Sequence, residues 1–121
     1  MTTPELQRIA DAAQLDDVLA SDLAVIFKHS YRCGISSVAL LQVRRALKKN
    51  LAAPVYLVDV VADSPLSQQI VKVTAVRHES PQAILIRNGR AVWSASHGGV
   101  TSGALHNAVD SATGGETDTK V

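Results

Sequence analysis

The stretch from Leu23 to Val61 constrains the fold of this chain more than any other, because it reads strand, helix, strand. Leu23-Ala24-Val25-Ile26-Phe27, running on into Lys28, is short and almost continuously apolar, as suits a central strand buried on both faces. Val55-Tyr56-Leu57-Val58-Asp59-Val60-Val61, opened by Pro54, has the same character. Between them Ile35, Val38, Ala39, Leu40, Leu41, Val43, Ala46 and Leu47 make a broad apolar stripe at helical spacing. Arg44, Arg45, Lys48 and Lys49 take the other side and the last turn, where cations complement the helix dipole, and Asn50 is the stop. Strands joined in this way lie parallel, with a right-handed crossover, and need cover on both faces. With 121 residues, 46% apolar and 19% charged, the chain can supply that cover as one domain, without disulfides or metal.

The flanking segments fit around this unit. Met1 to Ala20 reads as an amphipathic helix rather than a signal peptide, starting near Thr3 and Pro4, with a possible break at Gln14-Leu15. Asp63-Ser64-Pro65 predicts an N-cap followed by a helix to Lys72 or Val73. Gln82 to Arg87 and Arg90 to Ser96 are strands, and Asn88-Gly89 between them is a two-residue hairpin signal. A last helix is expected from Thr101 to Asp110, capped by Thr101 or Ser102. The result is a thioredoxin-like α/β fold: a four-stranded mixed sheet with helices on both faces and an N-terminal helix. Residues 1–112 are expected to form the single domain, and 113–121 a disordered tail.

Cys33 is the only cysteine, which excludes an internal disulfide and a Cys-rich zinc site and predicts a reducing, cytoplasmic setting. The net charge of +1 gives no general pull toward nucleic acid or an acidic membrane, and no apolar run approaches a membrane span. Cys33 follows the first strand and opens the helix, so an exposed thiol at a helix start is expected. Amide groups there stabilise negative charge and favour the nucleophilic thiolate. If the hairpin joins the sheet antiparallel to that strand, His78-Glu79-Ser80-Pro81 and Ser96-His97-Gly98-Gly99 arrive at the same edge. The bland alternative for Cys33 is a buried structural thiol, which the polar flank Ser30 to Arg32 disfavours.

Lys28-His29-Ser30, Cys33-Gly34-Ile35-Ser36, His78-Glu79-Ser80-Pro81-Gln82, Arg87-Asn88-Gly89 and Trp93-Ser94-Ala95-Ser96-His97 together resemble the YtxJ family. These are the monothiol bacilliredoxins of the thioredoxin superfamily, and the resemblance spans roughly Val25 to Val109. It implies a stress-response thiol–disulfide exchange protein that removes bacillithiol from S-bacillithiolated proteins through a mixed disulfide on Cys33. It further implies a cis bond before Pro81, with the Ser80 main chain offered to an extended substrate. Ser36 stands where a dithiol relative has its second cysteine, so an outside thiol must release Cys33. Gly34 replaces the proline that the family usually carries after its cysteine.

Cys33, Ser36, Pro81 and His97 are thus the candidate catalytic residues, His97 as proton donor or acceptor. Arg32, Gly34, Ser80, Gly98 and Gly99 are the candidate substrate contacts. His29 is a weaker candidate to tune the thiol, and a zinc set of Cys33 with His29, His78 and His97 has no ligand-pair spacing behind it. No permanently bound cofactor and no metal are expected; bacillithiol is the implied co-substrate, and a monomer or weak dimer the implied state. Two rival readings remain open in the sequence. One is a redox-inactive or redox-sensing binding module using the same cleft; the other is a monothiol exchanger that uses a different low-molecular-weight thiol.

Overall fold

A computed structural model describes residues 6–113 and shows a five-stranded sheet with helices on both faces. In chain order the elements are β1 (Leu6–Arg8), α1 (Ala12–Leu19), β2 (Leu23–His29), α2 (Gly34–Lys48) and β3 (Val55–Asp59). After these come α3 (Ser64–Thr74), β4 (Gln82–Arg87), β5 (Arg90–Ser96), a 3₁₀ turn at His97–Gly99, and α4 (Ser102–Thr113). The strand order is β1-β3-β2-β4-β5. β3 runs parallel to β1 and β2, whereas β4 is antiparallel to both β2 and β5.

The near-continuous apolar run of β2 is explained by its central place. Val25 and Phe27 face one core with α2 and α4, built from Ala39, Val43, Ala46, Leu105 and Val109. Ala24 and Ile26 face the other, with Leu15, Val18 and Leu19 of α1 and Leu66 and Ile70 of α3. Asn88 and Gly89 both take positive φ, 53° and 76°, as the predicted tight hairpin requires.

The structure corrects the expected four-stranded sheet and, over residues 6–11, the expected N-terminal helix; the first five residues of that helix lie outside the described residues. Leu6–Arg8 is a short edge strand in register with Val55–Leu57, and α1 starts only after Asp11, whose carboxylate accepts from Gln14 N at 2.8 Å. The free main-chain edge of β3 supplied hydrogen bonds that outweighed a helical apolar spacing readable in the sequence. Asp63 occupies the N-cap of α3, but its side chain makes no capping bond; Arg8 Nη2 donates to it at 2.9 Å instead. β3 ends at Asp59 rather than Val61, because Asp59 Oδ1 accepts from the N–H groups of both Val61 and Ala62 and turns the chain there. α4 is capped by Thr101, which accepts from Ala104 N at 3.1 Å, and runs on to Thr113. Residues 114–121 of the expected tail lie outside the described residues. Among the described residues no helix is long and apolar enough to cross a membrane.

Candidate thiol-exchange site

The C-terminal edge of β2 is where the sequence-predicted residues assemble. β2 ends at His29, the chain turns with Cys33 N donating to Ser30 O at 3.2 Å, and Cys33 becomes the N-cap of α2. Its backbone is extended (φ −114°, ψ 124°) and its side chain caps no helix N–H. The thiol is half-buried rather than fully exposed. The first N–H groups of α2 have no intrahelical acceptor and carry the partial positive charge of a helix start, and Cys33 stands directly before them.

Ser36 is completely buried, and its hydroxyl accepts from Ser30 N at 3.0 Å, pinning the turn that presents Cys33. Ser36→Ala would leave that N–H without its acceptor. It is expected to destabilise the protein by about 1 kcal/mol in chemical denaturation while leaving the exchange rate within severalfold of wild type. Gly34 is the first helical residue, has ordinary negative φ, and leaves open space where a Cβ would stand. Its N–H has no intrahelical acceptor, and the extended backbone of Cys33 suits a residue that precedes proline. Gly34→Pro is therefore expected to stabilise the protein by about 0.4–1 kcal/mol, seen as a raised Tm.

The register of the sheet brings the other two segments to the same edge. Lys28 pairs across to Gln82, and Gln82 to Ser96, so the residue before β4 and the residue after β5 lie beside the start of α2. The Ser80–Pro81 bond is cis. His97 N donates to Pro81 O at 2.8 Å, and the His97 ring lies 3.4 Å from Glu79 through Nε2, so the 3₁₀ turn is tied to the loop before β4 at two points. His97 has a positive φ of 54°. Gly98 and Arg32 are exposed; Gly99 is also exposed, and a Cβ there would touch Ala95 at 3.6 Å. The Ser80 hydroxyl is buried without a hydrogen-bond partner among the described residues.

The histidines divide. His29 is buried, its ring 5.5 Å from Phe27 and edge-on to Tyr31 at 4.2 Å, and neither ring nitrogen has a hydrogen-bond partner among the described residues. Burial pushes it below the ordinary histidine value, against the pull of the neighbouring Asp59. Asp59 is held below the usual carboxylate range by the main-chain N–H of Ala62, then by that of Val61 and by Arg8, against the opposing effect of burial. His78 is hydrogen-bonded to Ser67 of α3 at 3.2 Å, and burial, then the charge of Lys28, lowers it. His106 is on α4, half-buried, with Nε2 lacking a hydrogen-bond partner among the described residues. Among the described residues no group of histidine, cysteine and carboxylate side chains could hold a metal ion.

Sequence reasoning missed two features of this edge. Tyr31 and Ile35, two residues to either side of Cys33, are exposed at 62% and 54%, so the thiol opens onto an apolar rim. Ile35 reads as part of the core stripe of α2, and only the packing shows that the stripe is wider than the face it buries. The second feature is a polar network under the edge. Lys28 Nζ, wholly buried, donates to Gln82 Oε1 at 3.1 Å. A lysine at the end of an apolar strand, and a glutamine directly after Pro81, were the available signals.

The monothiol bacilliredoxin BrxC family model matches residues 5–105. A solved structure described as having a thioredoxin fold is similar, with 32% identity, a TM-score of 0.79, and 85% of this chain and 92% of that one covered. A mutant thioredoxin from Halobacterium salinarum (23% identity, TM-score 0.74, 93% and 96% covered) is also similar. So is the thioredoxin of Malassezia sympodialis (20% identity, TM-score 0.72, 90% and 91% covered). The last two show the fold alone.

Proposed function

The chain belongs to the monothiol bacilliredoxin family, whose chemistry is thiol–disulfide exchange, and from that premise we propose that Cys33 removes bacillithiol from S-bacillithiolated proteins. The observation that carries the proposal is the lone cysteine at the N-cap of α2 with a buried serine three residues on. The Cys33 thiolate attacks the bacillithiol sulfur of a protein–bacillithiol disulfide. That S–S bond breaks, the protein thiolate leaves and takes up a proton, and a Cys33–bacillithiol disulfide forms. Ser36 cannot attack this disulfide. A second low-molecular-weight thiol therefore attacks it, is itself oxidised into a small disulfide, and returns Cys33 as thiolate.

His97, on the turn held to Pro81, is assigned the proton transfer to and from the exchanging thiols. The Ser80 main chain and Pro81 are assigned to pair with an extended substrate segment, and Arg32, Gly34, Gly98 and Gly99 to line its path. The two cores share one sheet, which supports reading residues 1–112 as one domain. With a single thiol that must stay reduced, the cytoplasm is the proposed compartment. A monomer or weak dimer suffices, because every assigned residue comes from one chain.

The test is to mix the reduced protein with a bacillithiolated protein and weigh the products. An added bacillithiol mass on Cys33, with loss of the same mass from the substrate, is expected. Faster transfer of a different low-molecular-weight thiol would reassign the co-substrate. No adduct from either would leave a redox-inactive binding module as the better account.

A further inference from the structure

Lys28 is a costly residue for its position. It lies on β2, the central strand, with no exposed surface, and follows Ala24 and Ile26 on the face that packs against α1 and α3. Among the described residues no carboxylate pairs with its ammonium, and its hydrogen bond goes to the neutral side chain of Gln82. An apolar side chain of similar length would fill the space without the burial cost of a charge.

Gln82 spends its whole amide on this edge. Its Oε1 accepts a hydrogen bond from Lys28 Nζ, while Nε2 donates to Arg77 O at 3.0 Å and is 3.4 Å from Ser96 Oγ. Those four residues belong to four different parts of the candidate site. Lys28 is on the strand that delivers Cys33, Arg77 lies in the loop leading to Ser80, Gln82 follows Pro81, and Ser96 precedes the His97 turn. Glu79, which attracts the Lys28 charge, is the carboxylate beside His97.

We propose that Lys28, acting through Gln82, is a positioning residue that sets the Ser80–Pro81 segment against the thiol, and so governs exchange with protein disulfides rather than with small ones. The inference rests on Cys33 being the exchanging thiol. A protein substrate needs the main-chain edge next to Pro81 in register with its own extended segment, and small misplacements of such an edge are expensive in rate. A small disulfide pairs with no main-chain edge, and the turn that presents the thiol to it is held by Ser30 and Ser36, outside this network.

The experiment compares two substrates at Cys33, a protein carrying a mixed disulfide of a low-molecular-weight thiol and the free disulfide of that same thiol. Lys28→Met is expected to slow exchange with the protein substrate about tenfold or more while leaving the small disulfide within about twofold. Gln82→Leu should show the same selectivity. Where Lys28→Met does not fold, Gln82→Leu carries the test, and where both fold, the double variant should be no worse than either single one, because the two side chains form one unit. Unchanged protein-substrate rates in a folded variant, or equal slowing of both substrates, would overturn the proposal. Wild-type protein that exchanges with neither substrate would instead overturn the assignment of Cys33, which separates the two failures.

Discussion

Cys33→Ser is expected to abolish the removal of bacillithiol from a protein mixed disulfide, leaving only the background exchange seen without protein. A serine hydroxyl holds its proton at neutral pH and does not displace sulfur from sulfur, whereas a thiolate does. The substitution is close to isosteric and falls at a half-buried N-cap whose side chain makes no capping bond. Serine is among the preferred residues at such a cap, so the variant should be as stable as wild type or more stable, by about 0.5–1 kcal/mol. Lost activity with a retained or raised Tm would then locate the chemistry at this sulfur. A Cys33→Ser protein that still cleared the substrate at the wild-type rate would refute the mechanism.

The second large effect concerns stability and pH. Burial lowers the ammonium of Lys28 from its ordinary 10.5 to about 8, against the attraction of Glu79. Below pH 8 folded and unfolded chains both carry the proton, and the cost of burying the charge is fully present. As pH rises from 8 to 10.5 the folded protein sheds this proton while the unfolded chain keeps it. The unfolded state then binds more protons, so stability rises with pH through that window, by up to about 3 kcal/mol. Denaturant unfolding of wild type and Lys28→Met at pH 7.5 and pH 10.5 isolates this contribution, because the other lysines and the tyrosines are common to both. Wild type should gain relative to the variant over the window; parallel behaviour would mean that Lys28 is not buried as a charge.

Much of the fold was legible because its signals are local. The β4–β5 hairpin, Gln82–Arg87 and Arg90–Ser96, follows from Asn88-Gly89 between two strand-like runs, where only a few residues tolerate the positive φ that both turn positions adopt. β2 was legible because a strand covered on both sides is apolar along most of its length, here from Leu23 to Phe27. β1 was not. Three residues at a sheet edge carry too little pattern of their own, and what makes Leu6–Arg8 a strand is the unpaired edge of β3 about fifty residues away. The same distance hid the diversion of the Asp63 carboxylate to Arg8.

The site divides in the same way. The sequence by itself determined that there is one thiol, that serine and not cysteine stands three residues beyond it, and that a helix begins at it. Those are facts of composition and of spacing along one segment, and they fix the chemistry as monothiol. Only the tertiary structure decided what surrounds that thiol: Ser36 turned inward to hold the Ser30 turn, His29 buried, the His97 turn bonded to Pro81, and Lys28 joined to Gln82 behind them. Each of these depends on which strands pair and in which register. Moving a strand by one residue sends every side chain to the opposite face, and no stretch of sequence read alone carries that information.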